Sequence, residues 1–559
     1  MRPVGSNRLA STMQHLGEEG LPEEFSKRPE AISGREGPAM PGDEDFSEGG
    51  NGVMEVEYDN DDGDISRAAE VSVGCFCCSK MSPTFIVYMS AFVSSLTSVL
   101  LGYDVGVISG AIKFIVIDFD LSVVQEGVIV SSLNLVAAAG GLVAGTLSDA
   151  LGRKRSIAMA CLVFITGSIL KICAQSFGVL LLGRIVTGIG VGSGFVVAPV
   201  YIAEITPPHV RGRLTSLTDI SINLGIVIGY LVAFICTETI SSDSGKWRTM
   251  LGISIVPPFI ILASLCLLPE SPRYLIGRRR EQEALAVLYT IVDSPEGAKA
   301  ELKEIKKVVG EESDAKATWH ELLCNTSPAI RGTLMLGIGL GIAQQASGSE
   351  AAVYYSPSIL EDAGLTSDAE QLSGNILVGV FKLLGEVFAF FLVDRTGRRP
   401  LLLTSSSLVT LFLIILAIAF ANGAPPGITL TGLCFFMFSF SLGMGALTFL
   451  IAAEIFPLRH RGRGVSITVC ANRITSGLVA LAFPVLENAI TASGIFVVFT
   501  IASISTVWFY KTEVPETMGR TLEEISARAS AESRRGHPGQ SDTPSTLGLA
   551  PSVQDSVAL

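Results

Sequence analysis

Apolar residues run in blocks of roughly membrane-spanning length along most of this chain. Twelve such runs lie near 84–112, 127–148, 156–173, 179–203, 214–236, 249–268, 333–357, 374–393, 400–422, 427–453, 465–488 and 491–510. A helix needs about 20 apolar residues to cross the hydrocarbon layer of a bilayer. There it must bond its own backbone polar groups, since no water is present to do so. The pattern predicts an all-α membrane protein of twelve transmembrane helices. Between the sixth and seventh runs, REQEALAVLYTIV and KAELKEIKKVV carry the apolar spacing of short amphipathic helices lying at a surface. The predicted organisation is a tail at 1–80, a six-helix half at 81–273, a helical loop at 274–328, a second six-helix half at 329–525 and a tail at 526–559.

Composition agrees with lipid as the solvent. Of 559 residues 48% are hydrophobic and 17% charged, where a soluble chain carries about a quarter charged. The tails differ from the body. Residues 1–80 hold 17 acids against 7 bases, which is most of the chain's net −13. A stretch such as EVEYDNDDGD has too little apolar area to fold alone, so this tail is expected to be disordered, and the Ser/Pro/Ala-rich 526–559 likewise. Neither end resembles a signal or transit peptide.

Little in the chain supports other chemistry. The ten cysteines show no paired spacing. Cys75, Cys77 and Cys78, just before the first run, are either a lipid-attachment site or an unmodified juxtamembrane cluster, and they lack the second pair a zinc site needs. The five histidines are scattered. No nucleophile–base pair, metal cluster or phosphate loop is apparent, so the chain is not expected to be an enzyme, and no cofactor or metal is expected. The acidic tail argues against nucleic acid.

Basic residues set the orientation. The loops after runs 2, 4, 8 and 10 carry Arg153, Lys154, Arg155, Arg211, Arg213, Arg395, Arg398, Arg399, Arg459, Arg461 and Arg463; the loops on the other side carry Lys113, Lys171 and Lys246. An excess of Lys and Arg marks the cytoplasmic face, which puts both termini and the long loop in the cytoplasm. The sequon at Asn325 then falls on the cytoplasmic side and is expected to stay unglycosylated.

Three phrases occur twice. DALGRKR at 149–155 returns as DRTGRRP at 394–400, AEITPPHVRGR at 203–213 as AEIFPLRHRGR at 453–463, and PESPR at 269–273 as PETMGR at 515–520. Ordered recurrence at a nearly constant offset means two similar halves, as in transporters whose central site opens to either side in turn. Each phrase sets acids beside arginines at helix ends: Asp149 with Arg153, Glu204 with Arg211, Asp394 with Arg398, Glu454 with Arg461. Glu270 and Arg273 in PESPR join this set. Pairs across the halves would latch the cytoplasmic side shut; the simpler reading is that the arginines only follow the orientation rule.

These motifs, with GTLSDALGRK, PVYIAEITPPHVRGRL, PESPRYL, QQASGSEAAVYYSP, VDRTGRRPLLL, AAEIFPLRHRGRG and VPETMGRTLEEI, resemble the signatures of the sugar porters of the major facilitator superfamily over about 84–525. QQASG followed by an acid, VGVFK and NRITSG are most similar to plant-type polyol and monosaccharide transporters. The resemblance implies transport of a polyol or monosaccharide.

Seven ionisable residues fall inside predicted spans: Asp104, Arg184, Asp219, Glu350, Lys382, Glu386 and Arg473. Each costs about 3 kcal/mol at a helix centre if unpaired, so they must pair or face water or substrate. Four acids against three bases leave one acid over, as a proton carrier requires. The resemblance points to Asp104, where proton-coupled members carry Asp and facilitative ones usually Asn, with Arg184 as its partner. Gly102, Gly106 and Gly110 are expected to loosen this helix. The alternative is a permanent structural pair.

For the substrate, the resemblance implies Gln344, Gln345, Tyr354 and Asn472 as sugar contacts. Asp219 stands where hexose porters carry Gln, and Glu350 and Lys382 match an acid and a lysine of the polyol subgroup that would pair beside the cavity. Gly348 permits the local unwinding that would let the span-7 residues share one cavity. Glu386, one turn from Lys382, is expected to pair with it structurally. Span 10 departs from the family: the usual Gly-Pro-x-x-Trp is GALTF here, leaving Phe449 to stack on a sugar face, and Met518 replaces a usual Lys.

The leading expectation is proton-coupled uptake by alternating access, with sugar, protons and the lipid bilayer as partners. The fold needs no second copy, so a functional monomer is expected. A facilitative carrier and a transport-like sugar sensor are the alternatives. The plasma membrane is the expected location, with the vacuolar membrane the alternative.

Overall fold

The structure, a computed structural model of the chain, describes residues 83–517 apart from 293, 316–318, 324–327 and 458–459. The two tails, the Cys75–Cys78 cluster, the Asn325 sequon and Met518 lie outside the described residues, as do the side chains of Arg211 and Asp394.

Every regular element among the described residues is helical. The first six spans are α1 (Pro83–Phe119), α2 (Val123–Leu151), α3 (Arg153–Ile172), α4 (Phe177–Ile205), α5 (Pro208–Thr239) and α6 (Asp243–Leu265). Four further helices follow: α7 (Pro272–Gly277), α8 (Glu281–Ile291), α9 (Pro295–Ala315) and α10 (Trp319–Leu323). The second set is α11 (Pro328–Ala346), α12 (Ser349–Asp362), α13 (Asp368–Thr396), α14 (Arg398–Ala421), α15 (Pro426–Ile455), α16 (Arg461–Ala489) and α17 (Ala492–Glu513). Eleven of these helices are long and apolar enough to span a membrane. The seventh predicted run is the exception. It is broken into α11 and α12 at Gly348, whose φ of 76° is left-handed. Glycine adopts that conformation without a Cβ penalty.

The long apolar side chains that remain exposed, such as Phe391, Met335 and Trp508, lie on helices that bury their other face. That is the arrangement of a bundle solvated by lipid. Inside, the first half is built on close backbone approach. A Cβ on Gly102 would sit 1.9 Å from the Ile222 carbonyl oxygen of α5, and one on Gly225 2.2 Å from the Val99 oxygen of α1. Gly106 and Gly229 repeat the contact one turn on. The expectation that the α1 glycines loosen the helix is therefore corrected. Helix α1 is continuous for 37 residues, and its glycines let α5 lie against it, as small residues do wherever membrane helices must touch.

The two halves meet along α2–α16 and α5–α13. Helices α8 and α9 do not lie free. Ala284, Val287, Leu288, Ile291 and Ile305 are buried in one cluster with Val87 and Ala91 of α1 and Ile157 of α3.

Candidate functional site

In the first half, Asp104 is fully buried between two cations. Its Oδ1 accepts from Lys171 Nζ at 2.5 Å and its Oδ2 from Arg184 Nη1 at 2.6 Å; all three side chains are wholly inaccessible. Arg184 spends its other donors on the Ile129 and Val130 carbonyls of α2, at 3.2 and 3.3 Å. The reading of Lys171 as a loop residue is corrected. It lies in the last turn of α3, and the apolar run at 156–173 already enclosed it. With Lys171 counted, four acids face four bases, and Asp104 is the acid with two partners rather than the one left over.

At the centre, the ends of α11 and α12 face α16. Asn472 is the hub. Its Nδ2 donates to Gln344 Oε1 at 2.5 Å and to the Gly341 carbonyl at 3.2 Å, while its Oδ1 accepts from Gln345 Nε2 at 3.4 Å and from Arg473 Nε at 3.1 Å. Gln344 Nε2 donates to the carbonyls of Met444 and Gly445, at 2.8 and 3.0 Å. Those carbonyls belong to a five-residue π-turn, Ser441–Gly445, inside α15. A π-turn is a local irregularity often found at functional sites. Here it stands just where the family's proline is missing, so the helix departs from regularity without one. Gln345 Oε1 is buried without a hydrogen-bond partner among the described residues.

Arg473, whose partner the sequence did not name, faces Glu350 at 3.8 Å. Glu350 is therefore held by Arg473, and the expected Glu350–Lys382 pair is corrected. Arg473 Nη1 also reaches Asn134 Oδ1 of α2 at 3.4 Å, and the Asn134 amide donates to Tyr354 at 3.0 Å and Ser476 at 2.8 Å. Asn134 carried no motif that would have singled it out, and Ser476, although part of NRITSG, was not distinguished from its neighbours there. Tyr354 is thus bonded to the opposite half. Phe449 packs edge-on against Phe195 of α4, 6.0 Å between centroids, and Arg473 lies over the same Phe195 ring at 5.7 Å.

A second cluster joins α5 to α13. Asn223 Oδ1 accepts from Lys382 Nζ at 2.6 Å, and its Nδ2 donates to Glu386 Oε2 at 3.3 Å and to the Asp219 backbone carbonyl at 3.2 Å. The expected direct Lys382–Glu386 pair is corrected: an amide from the other half stands between them. Asp219, one turn before Asn223 on α5, makes no ion pair with a described residue.

At the end that carries the arginine-rich loops, the repeated phrases build the same device twice. In the first half Arg153 meets Glu204 at 2.8 Å and Asp149 at 3.1 Å. Glu270 Oε1 accepts from the backbone N–H groups of Arg153 and Lys154, at 3.0 and 3.2 Å, and Ser271 Oγ donates to Glu204 at 2.5 Å. In the second half Arg398 meets Glu454 at 3.4 Å, Glu516 accepts from the N–H groups of Arg398 and Arg399 at 3.1 and 3.0 Å, and Thr517 Oγ1 donates to Glu454 at 2.5 Å. A carboxylate at a helix N-terminus satisfies unpaired donors and meets the positive end of the helix dipole. It can come so close because Gly152 and Gly397 have φ of 98° and 88° and no Cβ. The ion pairs named here lie within each half; the expected latch across the halves, which would close in one state and break in the other, also involves Arg211 and Asp394, whose side chains lie outside the described residues. Each arginine opens α3 or α14 beside the end of its own α4 or α15. Arg461 donates to the Phe456 carbonyl at 3.5 Å; Arg273 sits on α7 outside both clusters. Glu516, absent from the expected set, stands in the echo of PESPR that the sequence displays.

Bonds between the halves continue toward the other end. Lys113 of α1 reaches Asp368 at 2.9 Å and Glu361 at 3.3 Å, Asn375 donates to Ser109 at 3.0 Å, and Tyr230 donates to the Val353 carbonyl at 2.8 Å.

The family model described as Sugar (and other) transporter matches residues 90–529. The chain is 42% identical over 445 residues to probable polyol transporter 4 of Arabidopsis thaliana, covering 78% of this chain and 84% of that one. It is 38% identical over 461 residues to polyol transporter 5 of the same plant, covering 78% and 85%. Among solved structures it is similar to the proton:xylose symporter XylE bound to 6-bromo-6-deoxy-D-glucose, with 27% identity, a TM-score of 0.69 and coverage of 80% of this chain and 99% of that one. It matches the inward open conformation of the xylose transporter XylE from E. coli with the same identity and TM-score, over 79% and 99%.

Proposed function

The chain belongs to the sugar transporter family of the major facilitator superfamily, and from that premise we propose that this multi-pass membrane protein carries polyols or monosaccharides together with protons, by alternating access. Transport, not catalysis, is the work of the family. The observation that carries the proton coupling is Asp104, buried between Lys171 and Arg184. A proton on Asp104 removes the charge that holds both cations, frees α1 from α3 and α4, and lets the first half change its contacts with the second. Loss of the proton restores the pairs and resets the carrier. A ligand shifts such an equilibrium only through its different affinity for the two states, and here the proton supplies that difference.

The sugar site proposed is the polar centre. Gln344, Gln345 and Asn472 present amides, Gln345 with an acceptor unpartnered among the described residues, and hydroxyls donate and accept in turn. Tyr354 and Phe449 would supply aromatic surface, and Asp219, Glu350 and Lys382, at the contact of the two halves, would line the substrate path. The named bonds between halves run from mid-depth to the end without the arginine loops. With the arginine-rich end cytoplasmic, this supports an inward-facing conformation. The names of the similar proteins, polyol transporters and a proton:xylose symporter, fit the substrate class and the coupling. The plasma membrane is the proposed location, both termini are placed in the cytoplasm, and a monomer is sufficient.

The double neutralisation of Asp104 favours one second reading, a facilitative carrier in which the triad is a fixed strut. Membrane current in oocytes expressing the chain separates the two. A panel of polyols, inositol and hexoses is applied in acidic and neutral baths. Symport gives a substrate-induced inward current that grows with acidity and is absent in Asp104→Asn. Labelled uptake without current, equal in both proteins, would establish the facilitator.

A further inference from the structure

The charges inside the bundle balance as a whole but not locally. Asp104 has two bases beside it, Lys171 and Arg184. The cluster between the halves has the reverse imbalance. Among the described residues, the bases bonded beside Asp219 on α5, Glu386 on α13 and Glu350 on α12 are Lys382 on α13 and Arg473 on α16. Helix α15 brings no charge to this depth; it presents Gly445, where an added Cβ would lie 3.4 Å from Glu386 Oε2, and the Phe440 ring, 5.6 Å from Lys382 Nζ. Three carboxylates and two bases leave one negative charge in excess. An uncompensated ionised carboxylate in such surroundings costs several kcal/mol.

The geometry also says which acids share the excess. Glu350 is taken by Arg473. Lys382 is bonded to the Asn223 oxygen rather than to a carboxylate, and the same amide donates to Glu386. Glu386, 5% exposed, and the partly exposed Asp219 thus lie at the same α5–α13 contact: the Asn223 amide donates to the Glu386 carboxylate and to the Asp219 backbone carbonyl, and Lys382 is bonded to its oxygen. Two carboxylates that share a site do not both ionise readily.

We propose that Asp219 and Glu386 together bind one proton, at a second site distinct from Asp104 and formed only when α5 and α13 are in contact. The site lies on the surface along which the halves move, so the proton bound there reports whether they are closed at mid-depth. The inference rests on the proton-coupled reading for its use in the cycle, but the site itself can be tested without transport.

The test is infrared spectroscopy of the purified, reconstituted full chain. The C=O stretch of protonated carboxyl groups, identified by its shift in heavy water, is followed from mildly acidic to mildly alkaline buffer. Charge counting sets the outcome. In the wild type this cluster holds one titrating buried carboxyl, whose band is the one that remains when Asp104 is neutralised. Glu386→Gln and Asp219→Asn each balance the cluster and abolish the band, so either variant suffices if the other fails to fold. Lys382→Met adds a second excess acid and doubles the band, while Asp104→Asn leaves it intact. The proposal is overturned by a wild type with no such band, by a band that survives in both acid variants, or by one lost only in Asp104→Asn. Failure of proton-coupled transport would look different: the band present and titrating, with no substrate-induced current in oocytes.

Discussion

At the scale of single residues, burial decides which charges carry function. Lys171 is the informative case. It was legible as a basic residue at the end of an apolar run, and the count of loop charges drew it to the wrong side of the boundary. Span limits cannot be read to better than a few residues from hydropathy alone. The structure makes it the second partner of Asp104, and a prediction follows from the sign of its charge. In Lys171→Met a proton on Asp104 competes with one cation instead of two. The acid requirement of uptake should then relax, moving the pH profile of accumulation about 1–3 pH units toward alkaline. Uptake against pH in oocytes reads this directly, and an unchanged profile would mean that Lys171 is a strut with no part in coupling. The partners of Arg473 were illegible for another reason. Glu350 lies 123 residues before it in sequence, and only the break at Gly348 turns that acid toward α16.

At the scale of elements, glycine placement and helix ends set the architecture. Nothing in the spacing of Gly102 and Gly106 distinguishes a flexible helix from a closely packed one, because both need a missing Cβ. What decides is the partner: Gly225 and Gly229 present the same notch from α5. Gly102→Val would drive its side chain into the Ile222 carbonyl, which belongs to a helix backbone and cannot turn aside. A loss of about 3 kcal/mol is expected. Melting followed by size-exclusion chromatography with fluorescence detection should show a clear fall for this variant, whereas Gly178→Ala, with open space around its Cβ position, should melt like the parent. The break between α11 and α12 was legible from Gly348 alone, whereas the π-turn of α15 was not. The sequence displays the absence of the family's proline, and only the carbonyls caught by Gln344 reveal how the helix accommodates it.

At the scale of the whole molecule, the repeated phrases announced two similar halves, and the paired caps Glu270 and Glu516 are their structural counterpart. Within each half the phrases also build their own ion pairs, Arg153 with Glu204 and Arg398 with Glu454. Motion between the halves has its own test. Ser109 and Asn375 touch across the interface at 3.0 Å. A cysteine pair there, joined by a disulfide or a short bismaleimide, should stop uptake, and reductant should restore it in the disulfide form. Full uptake by a protein shown to be cross-linked would mean that these faces never part. The division of charge between the clusters also has a consequence in the order of synthesis. Asp104 finds both partners within the first four helices, so its triad closes early. Glu350 enters the bilayer long before Arg473 is made: at 5–20 residues per second the interval is roughly 6–25 s. For that time the nascent second half carries an acid costing about 3 kcal/mol, with no arginine to meet it. A chain stalled after α13 should accordingly stay bound to the insertion machinery, as photo-crosslinking would show, and release should await the emergence of α16. If release does await α16, the Glu350–Arg473 ion pair also marks the completion of assembly.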